Sequence, residues 1–73
     1  MSLTEEQVKK LLLYSGRGGL TQLGLSLLVT RLANSYKSNQ TPDMLKKATA
    51  EVNSFLIKYA SIMQKDYEWI VNL

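Results

Sequence analysis

The stretch Gly16-Arg17-Gly18-Gly19, in which three glycines surround an arginine, is the part of this chain whose composition best suits chemistry. Backbone N–H groups before a helix, beside a guanidinium, are typical of an anion-binding site. A phosphate-binding loop, however, needs a lysine and then Ser or Thr after its last glycine, and here a leucine and a threonine follow. A dinucleotide-binding glycine motif follows a strand, whereas a capped helix is predicted before these glycines. We therefore predict a turn between helices, and keep Arg17, Gly18 and Gly19 as a candidate site for an anion or a charged partner.

Catalytic and metal-binding side chains are scarce. The chain has no cysteine and no histidine, which removes disulfides, thiolate chemistry, the usual zinc ligands and the commonest general base. Three of its acidic residues lie in the predicted first turns of helices, where they favour helix formation, and no two acids form a convincing buried pair. The sequence therefore predicts a protein that is not an enzyme, with no catalytic residue, no metal, no cofactor and no small-molecule substrate. The acids are Glu5, Glu6, Asp43, Glu51, Asp66 and Glu68.

Length and charge set further bounds. A chain of 73 residues makes one small domain, residues 1–73, near the lower limit for a single hydrophobic core. Self-association is the support for such a fold that this composition leaves open. The net charge of +3 would assist binding to nucleic acid or to an anionic membrane surface without requiring either. No signal-peptide pattern and no apolar run of roughly 20 residues is present, so we expect a cytoplasmic protein without a transmembrane segment.

Three helices are predicted, over about residues 4–15, 21–37 and 42–71. Thr4 and Gln7 form a capping box at the first start, and Thr41-Pro42 is typical of the third start. Residues 43–73 contain no glycine or proline, and their apolar spacing follows a heptad pattern. The fold class is therefore all-α, a three-helix antiparallel arrangement with a long C-terminal helix.

The second predicted helix is apolar on two sides. Its main stripe consists of Leu25, Leu28, Val29, Leu32 and Tyr36. A second patch, on a roughly opposite side of the first two turns, consists of Leu20, Leu23 and Leu27. A helix that is apolar on two sides is typically packed between two neighbours.

The predicted helix lengths point to a partner. The third helix would be roughly 45 Å long and the other two ~23 Å and ~17 Å, so the short helices would cover the long one only to about Tyr59. The apolar tail beyond would be exposed, which is unusual for a soluble monomer. A second copy of the chain is the simplest cover, with a dimer favoured and completing a helical bundle; another protein is the other candidate. Without a partner, the helix would break near Ala60-Ser61 and fold back as a fourth helix. The predicted interface consists of Ile62, Met63, Asp66, Tyr67, Trp69, Ile70 and Leu73.

Asp66 interrupts this apolar tail, where a carboxylate is costly unless it is paired. Two Asp66 side chains would meet in a parallel dimer in register, so antiparallel or offset packing is expected. Asp66 would then reach Arg17, Arg31 or a tyrosine hydroxyl. Alternatively, the tail frays and Asp66 is solvated.

We therefore expect a non-enzymatic protein–protein interaction module, a small regulator, inhibitor or assembly subunit, acting through an apolar surface on the C-terminal helix. The alternative is a nucleic-acid-binding regulator that dimerises through the same helix. The second predicted helix argues against it, because a recognition helix needs polar and basic residues along its exposed face. Association with a membrane surface is a third hypothesis, based only on charge and aromatic residues.

Overall fold

The computed structural model describes residues 1–14 and 18–73, and within these ranges it contains four α-helices and no strand. The helices are α1 (Glu5–Leu13), α2 (Leu23–Ser38), α3 (Pro42–Lys58) and α4 (Ala60–Val71). The all-α prediction is confirmed. The prediction of three helices with a long C-terminal helix is wrong, because the chain breaks at Tyr59 into α3 and α4. The alternative, a break near Ala60-Ser61 with a fourth helix folded back, is confirmed. None of the described helices is both long enough and apolar enough to cross a membrane.

Side-chain caps fix the starts of α1 and α3. The Thr4 hydroxyl accepts from the Gln7 amide, and the Gln7 side chain accepts in return from the Thr4 amide, which makes a complete capping box. At α3, the Thr41 hydroxyl accepts from the Met44 amide and Pro42 occupies the first helical position. Both predicted caps are confirmed. At α2, by contrast, the N-cap residue Gln22 makes no capping bond with its own side chain.

The break at Tyr59 changes how the C-terminal third of the chain packs. Tyr59 has φ −116° and ψ 34°, outside the helical values of its neighbours. A continuous helix over residues 42–71 would be about 45 Å long, whereas the molecule extends only 32 Å along its longest axis. After the break, α4 buries Met63 and Ile70. Each such side chain contributes about 1.5–3 kcal/mol by leaving water, which offsets the helical hydrogen bonds lost at the break.

One hydrophobic core joins the four helices. Helix α1 packs against α2, α3 and α4, and α3 also packs against α2 and α4. The N-terminal segment is fixed by Asn53 on α3, whose side-chain amide accepts from the Leu3 amide at 2.8 Å and donates to the Leu3 carbonyl at 3.0 Å. The buried hydrophobic residues are Leu3, Val8, Leu11, Leu12, Leu25, Val29, Leu32, Ala33, Tyr36, Ala48, Val52, Leu56, Met63 and Ile70.

Helices α2 and α3 run antiparallel and lie close together. Gly24, near the start of α2, faces Phe55, near the end of α3, and a Cβ at Gly24 would lie 3.0 Å from the Phe55 ring. Farther along, Arg31 on α2 forms an ion pair with Glu51 on α3 at 2.8 Å. Gly24 therefore lets the aromatic ring lie against the helix backbone, which offsets the roughly 1 kcal/mol that glycine costs within a helix.

Candidate interaction surface

Asp66 is fully buried, and it caps the start of α2. One carboxylate oxygen accepts from the Thr21 amide at 2.9 Å and from the Thr21 hydroxyl at 2.6 Å; the other accepts from the Gln22 amide at 3.0 Å. The carboxylate therefore accepts from the backbone N–H groups of Thr21 and of the N-cap residue Gln22, immediately before α2, at the helix end where negative charge is favoured.

The described bonds of Asp66 go to Thr21 and Gln22, and two of its expected partners bond elsewhere. Arg31 pairs with Glu51 instead, and the Tyr67 hydroxyl donates to the Ser2 carbonyl at 3.4 Å. Arg17 lies outside the described residues. The frayed tail with a solvated Asp66 is also wrong, because α4 is helical to Val71 and buries this carboxylate.

The candidate anion site of the glycine turn is partly occupied by the protein itself. Gly18 is exposed, with nothing near the position that a Cβ would take. Gly19, however, lies directly against the Trp69 indole, where any Cβ would overlap the ring. The indole also contacts the Tyr14 ring, edge to face, with centroids 5.6 Å apart. This end of the turn is therefore a packing contact, and Arg17 lies outside the described residues.

The residues of the predicted C-terminal interface divide between interior and surface. Met63, Asp66 and Ile70 are buried within the chain, whereas Ile62 is 53% exposed. Half-buried side chains that pack against the core make up the rest of the set: Tyr67, Trp69 and Leu73. The sequence predicts a partner here because the apolar tail of a long helix would be exposed. In the structure this tail is α4, which folds back and buries Met63, Asp66 and Ile70 against the rest of the chain. An interface through these residues stays a prediction.

The three most exposed large apolar side chains lie on α2 and α3: Leu23, Ile57 and Leu27. A shallow groove of about 450 Å³ runs between these helices, with half-buried or exposed apolar side chains from both. We call it the α2–α3 groove. It is lined by Leu28, Ala50, Glu51, Ser54, Phe55, Lys58 and Tyr59.

Two leucines extend the apolar surface beyond the groove on α2. Leu23 is 72% exposed and Leu27 is 62% exposed, and both belong to the second apolar side that the sequence places on this helix. We call Leu23 and Leu27 the leucine rim. The sequence pattern predicts neighbours on both sides of α2, and the structure buries the main stripe and leaves these two leucines open. The second apolar side of α2 in the sequence therefore indicates where this exposed surface lies. Sequence reasoning alone does not identify the surface as a binding site.

Charged residues lie at the two ends of the groove. At one end, Glu51 is held by Arg31 in a solvent-exposed ion pair. At the other, the Lys58 ammonium lies 5.5 Å from the centre of the Tyr59 ring, and the Phe55 and Tyr59 rings are 4.8 Å apart. Among the described residues, no group of three or more Asp, Glu, His or Cys side chains could hold a metal ion. The groove can therefore bind apolar side chains, with a charge of each sign at its edges.

Comparisons with models of protein families, with curated proteins and with solved structures find no match to this chain.

Proposed function

We propose that this chain is a non-enzymatic protein–protein interaction module that binds through the α2–α3 groove and the leucine rim. The observation that carries the proposal is the exposure of Leu23 and Leu27, which lie on either side of Gly24 in α2, where the helix contacts the Phe55 ring of the groove. Large apolar side chains exposed next to one another are typical of surfaces that bind proteins. A small regulator, an inhibitor and an assembly subunit would all use such a surface.

The energetics of the surface support this function. Complete burial of a leucine side chain contributes about 1.5–3 kcal/mol, so covering the rim alone would supply several kcal/mol of binding free energy. Aromatic residues at the centre of an interface commonly supply much of the rest, and charged residues at its edge favour particular partners. Phe55 lies between the charged residues, with Glu51 at one edge and Lys58, beside Tyr59, at the other.

The proposal differs from the sequence-based hypothesis in its location. We place the binding surface on α2 and α3 rather than along the C-terminal helix. Ile62, at the start of α4, follows Tyr59 within one helical turn and adds an apolar side chain near one end of the groove.

The test compares a rim variant with a control of equal exposure. The double variant Leu23→Gln/Leu27→Gln removes the apolar rim, whereas Ile57→Gln changes a residue that is 63% exposed on α3 and does not line the groove. Both should unfold at the wild-type temperature, because exposed substitutions change stability by at most about 0.5 kcal/mol. We expect the rim variant to lose self-association in light scattering and capture of binding proteins, and the control to keep both.

Salt dependence separates this function from nucleic-acid binding. Counterion release would weaken DNA or RNA binding by about 10³–10⁵ between roughly 50 and 200 mM salt if six or more phosphates were contacted. Contacts in an apolar protein interface change little over that range. Nucleic-acid binding with a steep salt slope, unchanged in the rim variant, would contradict the proposal.

A further inference from the structure

We propose that the occupant of the α2–α3 groove is a second copy of this chain, bound about a two-fold axis that crosses α3 between Ser54 and Phe55. This inference rests on the proposed function and adds the identity of the partner and the register of the contact. Isologous pairing is the commonest way in which soluble proteins associate, and it requires a surface that is complementary to itself.

The charges of the groove have that self-complementarity. Glu51 and Lys58 both line the groove and are two helical turns apart on α3, about 10 Å along the helix axis. A two-fold axis midway between them makes the two α3 helices antiparallel, so Glu51 of one copy lies opposite Lys58 of the other. The symmetry repeats this pair at both ends of the contact. A parallel arrangement in register would instead place like charges together.

The same axis fits the sizes of the side chains. Ala50 of one copy lies opposite Tyr59 of the other, and Ser54 lies opposite Phe55, so each aromatic ring meets a small side chain. Small residues facing large ones allow helices to approach closely and their surfaces to interlock. The Phe55 rings of the two copies would then lie near the axis, and the Tyr59 rings would lie at the two ends of the contact beside Lys58.

The leucine rim and the existing ion pair agree with this register. Leu28 lines the groove, and the two rim leucines lie on either side of Gly24, which contacts the Phe55 ring. A second copy seated there would cover apolar surface on α2 as well as on α3. Glu51 uses one carboxylate oxygen for Arg31, and within residues 1–14 and 18–73 no hydrogen bond involves its other oxygen. That oxygen can accept from Lys58 of the second copy, which would join three charges in one network.

The test is a charge reversal and its compensation. The dissociation constant of the wild type would be measured by sedimentation equilibrium up to about 1 mM, the weak end of specific association. Lys58→Glu places a second carboxylate opposite Glu51, and Glu51→Lys places two ammonium groups together, each at both ends of the contact. We expect each single reversal to weaken the dimer by about 10- to 100-fold. The double variant restores opposite charges and should dimerise within about threefold of the wild type.

Arg31→Gln is the control for the internal ion pair. It removes the Arg31–Glu51 bond without creating a like-charge pair, and such an exposed bond stabilises the fold by only about 0–1 kcal/mol. The variant should therefore fold normally and dimerise within about tenfold of the wild type. Thermal unfolding of every variant shows whether a lost dimer reflects a lost fold. Glu51→Gln provides a second folded variant if Glu51→Lys does not fold, and it should weaken the dimer without creating repulsion.

The outcomes separate the inference from the function on which it rests. Dimerisation that is lost on single reversal and regained in the double variant supports the inference. A wild type that stays monomeric to about 1 mM, or a dimer insensitive to charge reversal, overturns it. In either case, rim-dependent capture of a different protein would leave the proposed function standing. Association unchanged by Leu23→Gln/Leu27→Gln would contradict both.

Discussion

The Asp66 carboxylate accepts both the amide and the hydroxyl hydrogen of Thr21, a residue 45 positions earlier in the chain. With the further bond from the amide of the N-cap residue Gln22, it does for α2 what the Gln7 side chain does for α1, where it accepts from the Thr4 amide. The difference is that the cap comes from another helix. The position of α4 and the start of α2 therefore depend on each other.

We expect Asp66→Ala to lower the free energy of unfolding by about 1–3 kcal/mol, because it leaves three partly buried donors of Thr21 and Gln22 without their acceptor. Asp66→Asn should lose less, since its amide oxygen can still accept from Thr21 while its NH₂ group faces the Gln22 amide. Thr21→Val, which removes only the hydroxyl donor, should cost about 1 kcal/mol. Urea denaturation measures all three. Equal stability of Asp66→Ala and the wild type would contradict the capping role.

Gly19→Ala should destabilise the protein by about 1–3 kcal/mol, because the added methyl group overlaps the Trp69 indole and forces it to move. The matched control is Gly18→Ala, where nothing lies within 4 Å of the added carbon and the backbone φ is not positive. That change should be neutral or stabilise by up to about 1 kcal/mol. Trp69 is the only tryptophan, so its fluorescence reports the displacement directly. A wild-type emission spectrum in Gly19→Ala would be the contrary result.

Ile70→Ala should cost about 2–5 kcal/mol, because it creates a cavity in the core. Ile62→Ala, the same substitution on the same helix, should cost no more than about 0.5 kcal/mol, because Ile62 is largely exposed. Calorimetry or chemical denaturation compares the two variants. Equal losses would be inconsistent with α4 folding back on the core in this orientation.

Asn53→Ala should free the N-terminal segment and cost about 1–2 kcal/mol, since both hydrogen bonds to Leu3 are lost. Asn53→Asp is the control, because its carboxylate can still accept from the Leu3 amide but cannot donate to the carbonyl. Hydrogen exchange at the Leu3 amide should be fast in Asn53→Ala and slower in Asn53→Asp. Equal protection in Asn53→Ala and the wild type would show that another contact holds the segment.

Sequence reasoning succeeds where structure is set by neighbouring residues. The capping box at Thr4 and the Thr41-Pro42 start involve residues within one turn, so the pattern alone predicts them. At the end of α3, sequence reasoning offers a break near Ala60-Ser61 only as the alternative to a continuous helix, because no glycine or proline marks the break. The break reflects burial of Met63 and Ile70 and the bonds of Asp66 to a distant helix, which local patterns do not contain.

The heptad pattern is also ambiguous about which row of residues faces the core. Two adjacent rows run along the C-terminal third of the chain: Phe55, Ile62 and Trp69, and Leu56, Met63 and Ile70. The spacing assigns the first row to the main apolar seam, yet the structure fully buries only the second. Both rows are apolar at every position, so periodicity cannot distinguish them. The sequence indicates the candidate surface on α2 more clearly than it indicates the buried row of the C-terminal third. An apolar side of a helix that no other described helix covers remains exposed.

The cap that Asp66 places on α2 also has a consequence for the order of folding. The bond between Thr21 and Asp66 closes a loop across 45 positions of the chain, which costs entropy before the contact gives any stabilisation. We therefore expect this bond to form after the local turns of α1 and α3. Substitutions at Asp66 should then accelerate unfolding while leaving the refolding rate nearly unchanged. The Asp66 carboxylate would therefore slow the unfolding of the native protein without accelerating its folding.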